Sequence, residues 1–537
     1  MSELKLLLGL PRRLRDPPAG SFIQVSPIMR TFFLLTGFLA GLLPLLGADE
    51  PLAALKLEIT DARGNALPCR VHLLDGAGKS HQPPGLPFWR DHFVCTGRVA
   101  LKLPPGTYTY EIERGPEHER RQGKIDLKAG AEQTAKVQLG RVADLAAGGW
   151  YSGDLHVHRP VKDIELLMQA EDLNIAPVIT WWNTRNEWAK DAPPRPTLMK
   201  FDRNRYYDVM AGEDERGGGA LLFFHLEVPL AITQAKREHP SALRFVEQAR
   251  RLNPNVWIDL EKPFWWDAPA WLASGHVNSI GIANNHMCRS QMYLNEAWGR
   301  PRDERRLPNP LGNGHWTQEI YYHVLNCGLR IPPSAGSASG VLPNPVGYNR
   351  VYVQLEGPLE YEPWWAGLKA GRSFVSNGPL LLSKANGHLP GHVFRGEAGK
   401  PLAIKVEFTL TSQDATPKLE LIKNGQIEST VVLGKETTRQ GSTHIEFRES
   451  GWFLVRALTD APNTFRFAST APFYVELGEQ NQRISKRSAR FFVDWVSERI
   501  ARLEKTELTP GERREVLETQ EKAKHFWQEL ADKATAE

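Results

Sequence analysis

The segment Asp154-Leu155-His156-Val157-His158 sets a carboxylate and two imidazoles at alternate positions, directly after a short strand-like run containing Trp150 and Tyr151. In an extended chain alternate side chains point the same way, so Asp154, His156 and His158 share one face. Two imidazoles so placed can bind one divalent ion, while Asp154 orients a ring or serves a neighbouring ion. Histidine pairs also occur in sheets that hold no metal, so the reading gains weight from donors elsewhere. Glu213 stands in Met210-Ala211-Gly212-Glu213-Asp214-Glu215, His225 closes the apolar run 221–224, and His286 follows Ile280-Gly281-Ile282-Ala283-Asn284-Asn285. Each sits at the end of a separate apolar run. The expected metal ligands are therefore His156, His158, Glu213, His225 and His286, with Asp154 and Glu213 as the catalytic carboxylates.

Such donors need a rigid frame. Between about 148 and 380, short apolar runs (175–180, 221–224, 256–260, 280–283) alternate with helical patterns such as 162–171 and 241–252. Alternation of this kind implies an α/β domain around a largely parallel sheet, with functional groups at the C-terminal strand ends. The flanks read differently. Residues 52–142 carry short period-two runs (55–60, 99–103, 108–112, 135–139) separated by Gly/Pro turns, as in an immunoglobulin- or prealbumin-like β-sandwich. Residues 385–478 return to strands, with Asn424-Gly425 as a hairpin turn. The tail, 485–537, is helical: Phe492, Val496, Ile500 and Leu503 recur at helical spacing, and Thr509-Pro510-Gly511-Glu512 forms a capping box opening a charged, surface-lying helix.

Gly153-Asp154-Leu155-His156-Val157-His158 resembles the first motif of the PHP (polymerase and histidinol phosphatase) superfamily, and the wider arrangement over about 148–478 is similar to its CehA/McbA branch of metallohydrolases. The likeness takes in Gly371-Arg372-Ser373-Phe374-Val375-Ser376-Asn377-Gly378-Pro379 and the sandwich that follows. It implies a distorted β/α barrel flanked by two β-sandwich domains, and metal-dependent hydrolysis of a phosphoester, amide or carbamate-like ester. Two motifs depart from the family. Thr180-Trp181-Trp182-Asn183 stands where the family has Thr-Asp-His-Asn, and Gly336-Ser337-Ala338-Ser339-Gly340 where it has Gly-Ser-Asp-x-His. The carry-over leaves His156, His158 and Glu213 for a first metal, and Glu213, His225 and His286 for a second. One or two ions (Zn, Mn or Fe) are expected, not three. Asp259, Glu261, Asp267 and Glu227 are candidates for the vacant positions, and His315, Glu319 and His323 form a helical stripe that either lines the pocket or lies on a surface. Trp181 and Trp182 either make the mouth apolar or fill vacated volume.

The remaining features bound the setting. The apolar run 31–47, with Arg30 before it and Gly47-Ala48 after, reads as a secretory leader, with translation starting at Met29; retention as an uncleaved anchor is the alternative. Residues 1–48 are thus an extension plus signal, and the mature chain is periplasmic or secreted. Cys69 with Cys95, and Cys288 with Cys327, either pair or remain buried thiols. A net charge of +4 over 537 residues, without a dense basic block, excludes nucleic acid as an expected partner. Gly336 to Gly340 has Ala at its centre, so the GxSxG pattern fails, and Gly217-Gly218-Gly219 reads as a flexible turn. The expected function is metal-activated hydrolysis of a small-molecule or polymer substrate. The rival is a non-catalytic, metal-containing protein that holds a glycan or cell-surface polymer on its Trp181-Trp182, Trp265-Trp266 and Trp364-Trp365 pairs. Sequence leaves the oligomeric state open.

Overall fold

Apolar side chains at every second position of Ala53–Thr60 bury one face of that strand, and the same alternation shapes its partner Arg98–Leu103. The computed structural model describes residues 51–479 and 482–537, so the expected leader at 31–47, the start at Met29 and the whole 1–48 extension lie outside the described residues. The N-terminal domain is a three-stranded and a five-stranded sheet enclosing a core of its own. Cys69 and Cys95 are direct cross-strand partners in it, their sulfurs 3.8 Å apart. All four cysteines are free thiols and buried.

The chain is mixed α/β and rich in strands, with a helical pair at the C-terminus. Its largest sheet closes into a barrel and continues into the C-terminal domain through the pairing of Ser373–Ser376 with Phe467–Thr470. The sheet is not largely parallel. Trp150–Gly153, Ile175–Trp182 and Arg205–Arg216 run parallel. Gly219–Phe224 then turns back antiparallel, and Trp257–Leu260 lies antiparallel to it. Ser279–Ala283 and Pro333–Ala335 resume in parallel. The reversal follows from the tight Gly217-Gly218 turn, which no crossover helix interrupts. That turn is packed, not flexible: a Cβ on Gly217, Gly218 or Gly219 would collide with Glu238, Asp267 or Trp265 respectively.

The core of the C-terminal strands is shared with the barrel, since Trp150, Tyr352 and Phe374 pack into it, and Asn424 and Gly425 take the positive φ values (50° and 86°) of a two-residue hairpin turn. Asn377 joins this domain to the barrel: its amide donates to Phe465 O at 2.9 Å and accepts from Phe467 N–H at 2.8 Å. In the tail, Thr509 and Glu512 complete the expected capping box on Pro510–Asp532. That helix does not simply lie on the surface. It buries Val516, Ala523 and Trp527, and Trp527 stacks on Phe492 of Lys486–Glu504 at 4.3 Å. The expected histidine stripe meets the same tail: His323 bonds Ser488 Oγ at 2.9 Å and stacks on Phe491. Glu319 pairs with Arg306 and the His315 ring meets Phe465, so the stripe lines no metal pocket.

Between the first sandwich and the barrel lies Glu117. It accepts from Leu145 N–H at 2.9 Å and Tyr352 Oη at 3.3 Å, and burial pushes its carboxyl from 4.5 up to about 7. Its folded pKa lies above the unfolded one, so the folded chain holds the proton more tightly. The stabilisation is complete below pH ~4 and disappears as pH rises through about 7. Glu117→Gln should therefore gain stability relative to wild type by up to ~3 kcal/mol on going from pH 4 to pH 8. Urea unfolding at both pH values checks this; a difference independent of pH contradicts it.

Candidate metal centre

Val157 makes parallel bridges to Val178 and Ser339, which holds 155–158 extended between two neighbouring segments. The alternation therefore holds: Leu155 and Val157 are buried in the core, while His156 and His158 turn to the other side. Gly336 and Gly340 permit the approach, since a Cβ at 336 would collide with His156 Cβ and one at 340 would meet His158 O at 2.7 Å. Glu213, opposite Trp182 in the parallel register, completes the group.

Three lone-pair donors converge. His156 Nε2 and His158 Nε2 are 2.9 Å apart, and Glu213 places Oε1 3.4 Å from the first and Oε2 3.2 Å from the second. Donors that share one ion at ~2.0–2.1 Å stand roughly 3 Å from one another, so the triangle has the dimensions of one coordination face. His158 Nδ1 is buried without a hydrogen-bond partner. Three ligand-type atoms gathered in a buried place, with two imidazole nitrogens facing each other, could hold a divalent ion; without one, a protonated His156 hydrogen-bonds to its neighbours. All three side chains are at most 5% exposed.

Glu261 belongs to the site more firmly than its sequence position suggests. Its Oε1 lies 3.3 Å from His156 Nδ1 and accepts from Asn285 Nδ2 at 2.7 Å; Oε2 accepts from Trp265 Nε1 at 2.9 Å, and Lys262 pairs with it. A carboxylate behind the imidazole fixes the ring so that Nε2 presents its lone pair to the cluster. The charges act together. Burial lowers His156, but Glu213 and Glu261 overcome it and hold the ring at about 10. Against burial, Lys262 and His156 keep Glu261 at about 2. Burial and the charge of Glu213 push Glu215 up to about 8, and burial pushes Asp259 up to about 7. Glu215 lies two residues from Glu213 on one strand and thus on the same face; that period-two spacing was the available signal for it.

A metal-free chain holds a proton on His156 up to about pH 10, and an ion at Nε2 must displace it. Metal binding at pH 7–9 should release about one proton per ion, and affinity should rise about tenfold per pH unit over that range. Calorimetry in buffers of different ionisation enthalpy reads this directly; zero proton release excludes His156 as the protonated ligand.

The other expected residues fall elsewhere. Asp154 does not reach the cluster. Its Oδ1 accepts from His156 N–H at 3.1 Å and Ser337 N–H at 2.9 Å, and its Oδ2 from Ser337 Oγ at 2.5 Å and Gly347 N–H at 2.6 Å. Four donors saturate it, so it braces three loops and orients no ring. His225 is excluded by topology. Gly219–Phe224 runs antiparallel to Arg205–Arg216, with Gly212 opposite Phe223 and Glu213 opposite Leu222. Its C-terminal end therefore lies three residues, or roughly 10 Å, below Glu213. There the His225 ring packs against Trp365 and Tyr361. His286 is at the correct end but stacks on Tyr293, and burial lowers it to about 3; it joins no three-ligand group among the described residues. Asp267 bonds Arg499 and Gln520 of the tail, Asp259 accepts from Ser279 and Ser334, and Glu227 is exposed.

Trp181 fills volume, its ring occupying the space a Cβ on Gly212 would need, whereas Trp182 sets its face or edge against His158 at 5.2 Å. Trp265, Trp266, Trp364 and Trp365 are buried core residues and present no stacking surface to a glycan. Two further groups of ligand type share His72 in the first sandwich. In one, Asp91 already bonds His72 and His92; in the other, Glu111 and Glu113 already pair with Arg289 and Arg70.

Comparison with known proteins adds little to this geometry. No protein-family model and no curated protein matches the chain. Among solved structures, a minor pilin of Streptococcus agalactiae matches at 14% identity over 18% of this chain and 47% of its own, with a TM-score of 0.15. A CARDB domain from Pyrococcus furiosus, in complex with di-metal ions, matches at 17% identity over 19% of this chain and 96% of its own, TM-score 0.14. A β-glucuronidase of Bacteroides uniformis matches at 11% identity over 76% of this chain and 60% of its own, TM-score 0.16. The matching region is less than half the length of the pilin. Among the described residues no helix is long and apolar enough to cross a membrane.

Proposed function

We propose that this chain is an exported, PHP-type metal-dependent hydrolase with one divalent ion held by His156, His158 and Glu213. The observation that carries the reading is the three-donor group itself. Three protein ligands suit a catalytic site with an open position, whereas structural sites are usually closed by four. A second ion finds little support, because His225 and His286 stand outside the group. Zinc, manganese or iron would each accept this His₂Glu set, and when bound would supply a hydroxide at neutral pH and polarise the scissile group. The chain's own residues do the rest. Glu261 holds His156 Nδ1, Trp182 walls the His158 side, and Glu215, two residues from Glu213 on the same strand face and pushed up to about 8, is the candidate proton donor to a leaving group. The substrate class is a phosphoester, amide or carbamate-like ester. Export to the periplasm or outside rests on the apolar leader at 31–47.

One observation favours a second reading, a non-catalytic metal-containing binding protein: the three ligands are nearly closed off from solvent. Turnover separates the two. Phosphoesters, carbamates and amides should be screened with added manganese or zinc. Hydrolysis should fall by more than ~100-fold in Glu213→Gln, beyond what losing an outer partner of a ligand produces. Glu261→Gln should weaken metal binding by about 10–100-fold. A metal-loaded chain that turns over none of these substrates supports the second reading.

A further inference from the structure

Where the first sandwich, the barrel and the second sandwich meet, a cavity of about 70 Å³ opens partly to solvent. Its wall carries Arg70, Arg120, Arg289, Arg350 and Arg466. Against these five guanidinium groups stand three carboxylates, Glu113, Glu171 and Asp414, with Glu111 set back behind Arg289. Glu113 and Glu171 pair with Arg70, and Glu111 and Glu113 with Arg289, so five guanidinium groups meet four carboxylates. Positive charge is in excess.

The excess is not spread evenly. Arg350 is 1% exposed; its guanidinium donates to the carbonyls of Gly347 and Glu171 and meets Tyr352, and among the described residues no carboxylate is in ion-pair contact with it, although Glu117 and Glu171 act on it from farther off. Arg70 is 4% exposed, and its Nε is buried without a partner. Arg289 pairs with Glu111 and Glu113, yet burial and the neighbouring charge of Arg70 depress it to about 10. A buried guanidinium with no carboxylate in direct contact, as at Arg350, is costly. Asp414 already serves both Arg120 and Arg466, at 3.1 Å and 2.9 Å. The excess of guanidinium groups therefore borders one space with room for about two waters.

We infer that this cavity binds a small, doubly charged tetrahedral oxyanion of the phosphate class, which ties the three domains together. Planar guanidinium forks match such an anion with paired hydrogen bonds, and several at once give selectivity over a monovalent halide. The site is distinct from the metal centre and does not depend on it.

The full chain titrated with inorganic phosphate, against chloride at equal ionic strength, should show one binding site and a phosphate-specific rise in melting temperature. Arg289→Gln and Arg466→Gln should each weaken phosphate at least tenfold. If either variant fails to fold, wild-type protein gives the answer: phosphate should protect Arg289 and Arg466 from phenylglyoxal, read by peptide mass spectrometry. Binding should persist in His156→Ala/His158→Ala. Competition by glycerol 3-phosphate would assign the site to the phosphate group of a larger molecule; its failure would assign it to the free ion. Equal effects of chloride, unaltered affinity in the folded arginine variants, no protection, or binding lost with the metal ligands would each overturn the inference.

Discussion

Replacing His156 and His158 together by alanine is expected to reduce bound divalent metal from about one ion per chain to none that survives dialysis. The two imidazoles supply two of three converging donors, and Glu213 alone is a weak monodentate or bidentate site. Structural zinc sites bind with apparent energies of ~10–16 kcal/mol over about four ligands, so losing two should weaken affinity by more than ~1,000-fold. Metal analysis of the dialysed variant reads the outcome, and its near-ultraviolet circular dichroism verifies that the fold persists. A folded double variant that keeps about one ion per chain would place the metal elsewhere, with the groups around His72 the next to test.

The second large effect concerns stability, not binding. Asp154→Ala removes an acceptor that four donors share, two of them backbone N–H groups from 337 and 347 and one from His156. Asp154 is fully buried, and each orphaned donor costs about 1–3 kcal/mol, so the variant should lose at least ~3–5 kcal/mol. Denaturant unfolding of the metal-free protein measures it. Asp154→Asn keeps the shape and one acceptor oxygen and should lose distinctly less. The four hydrogen bonds exist whatever Asp154 does in catalysis, so an unfolding loss well below this would overturn the bracing role.

Much of this protein was legible in the residues. Alternation fixed the strands of both sandwiches, because a half-buried strand must be apolar at every second position. Asn424-Gly425 and the Thr509 capping box are local chemistry, and both formed as read. The same period of two set His156 and His158 on one side of the chain. These signals are carried by near neighbours in sequence, so no distant partner was needed to interpret them.

What failed to show was long-range. His225 ends an apolar run as His286 does, but strand direction is a property of the sheet, and an antiparallel return at Gly217-Gly218 carried His225 to the far end. Asp154 has the spacing of a ligand, yet donors about 180–190 residues further along the chain bind it first. Glu261 looked like one acid among several and became the partner of His156 because Trp257–Leu260 delivers it to the same end as Glu213. The His-x-His pair was thus set by sequence alone. Which carboxylates stand around it, and whether they bind, brace or orient, was decided only when the strands took their directions and brought distant donors together.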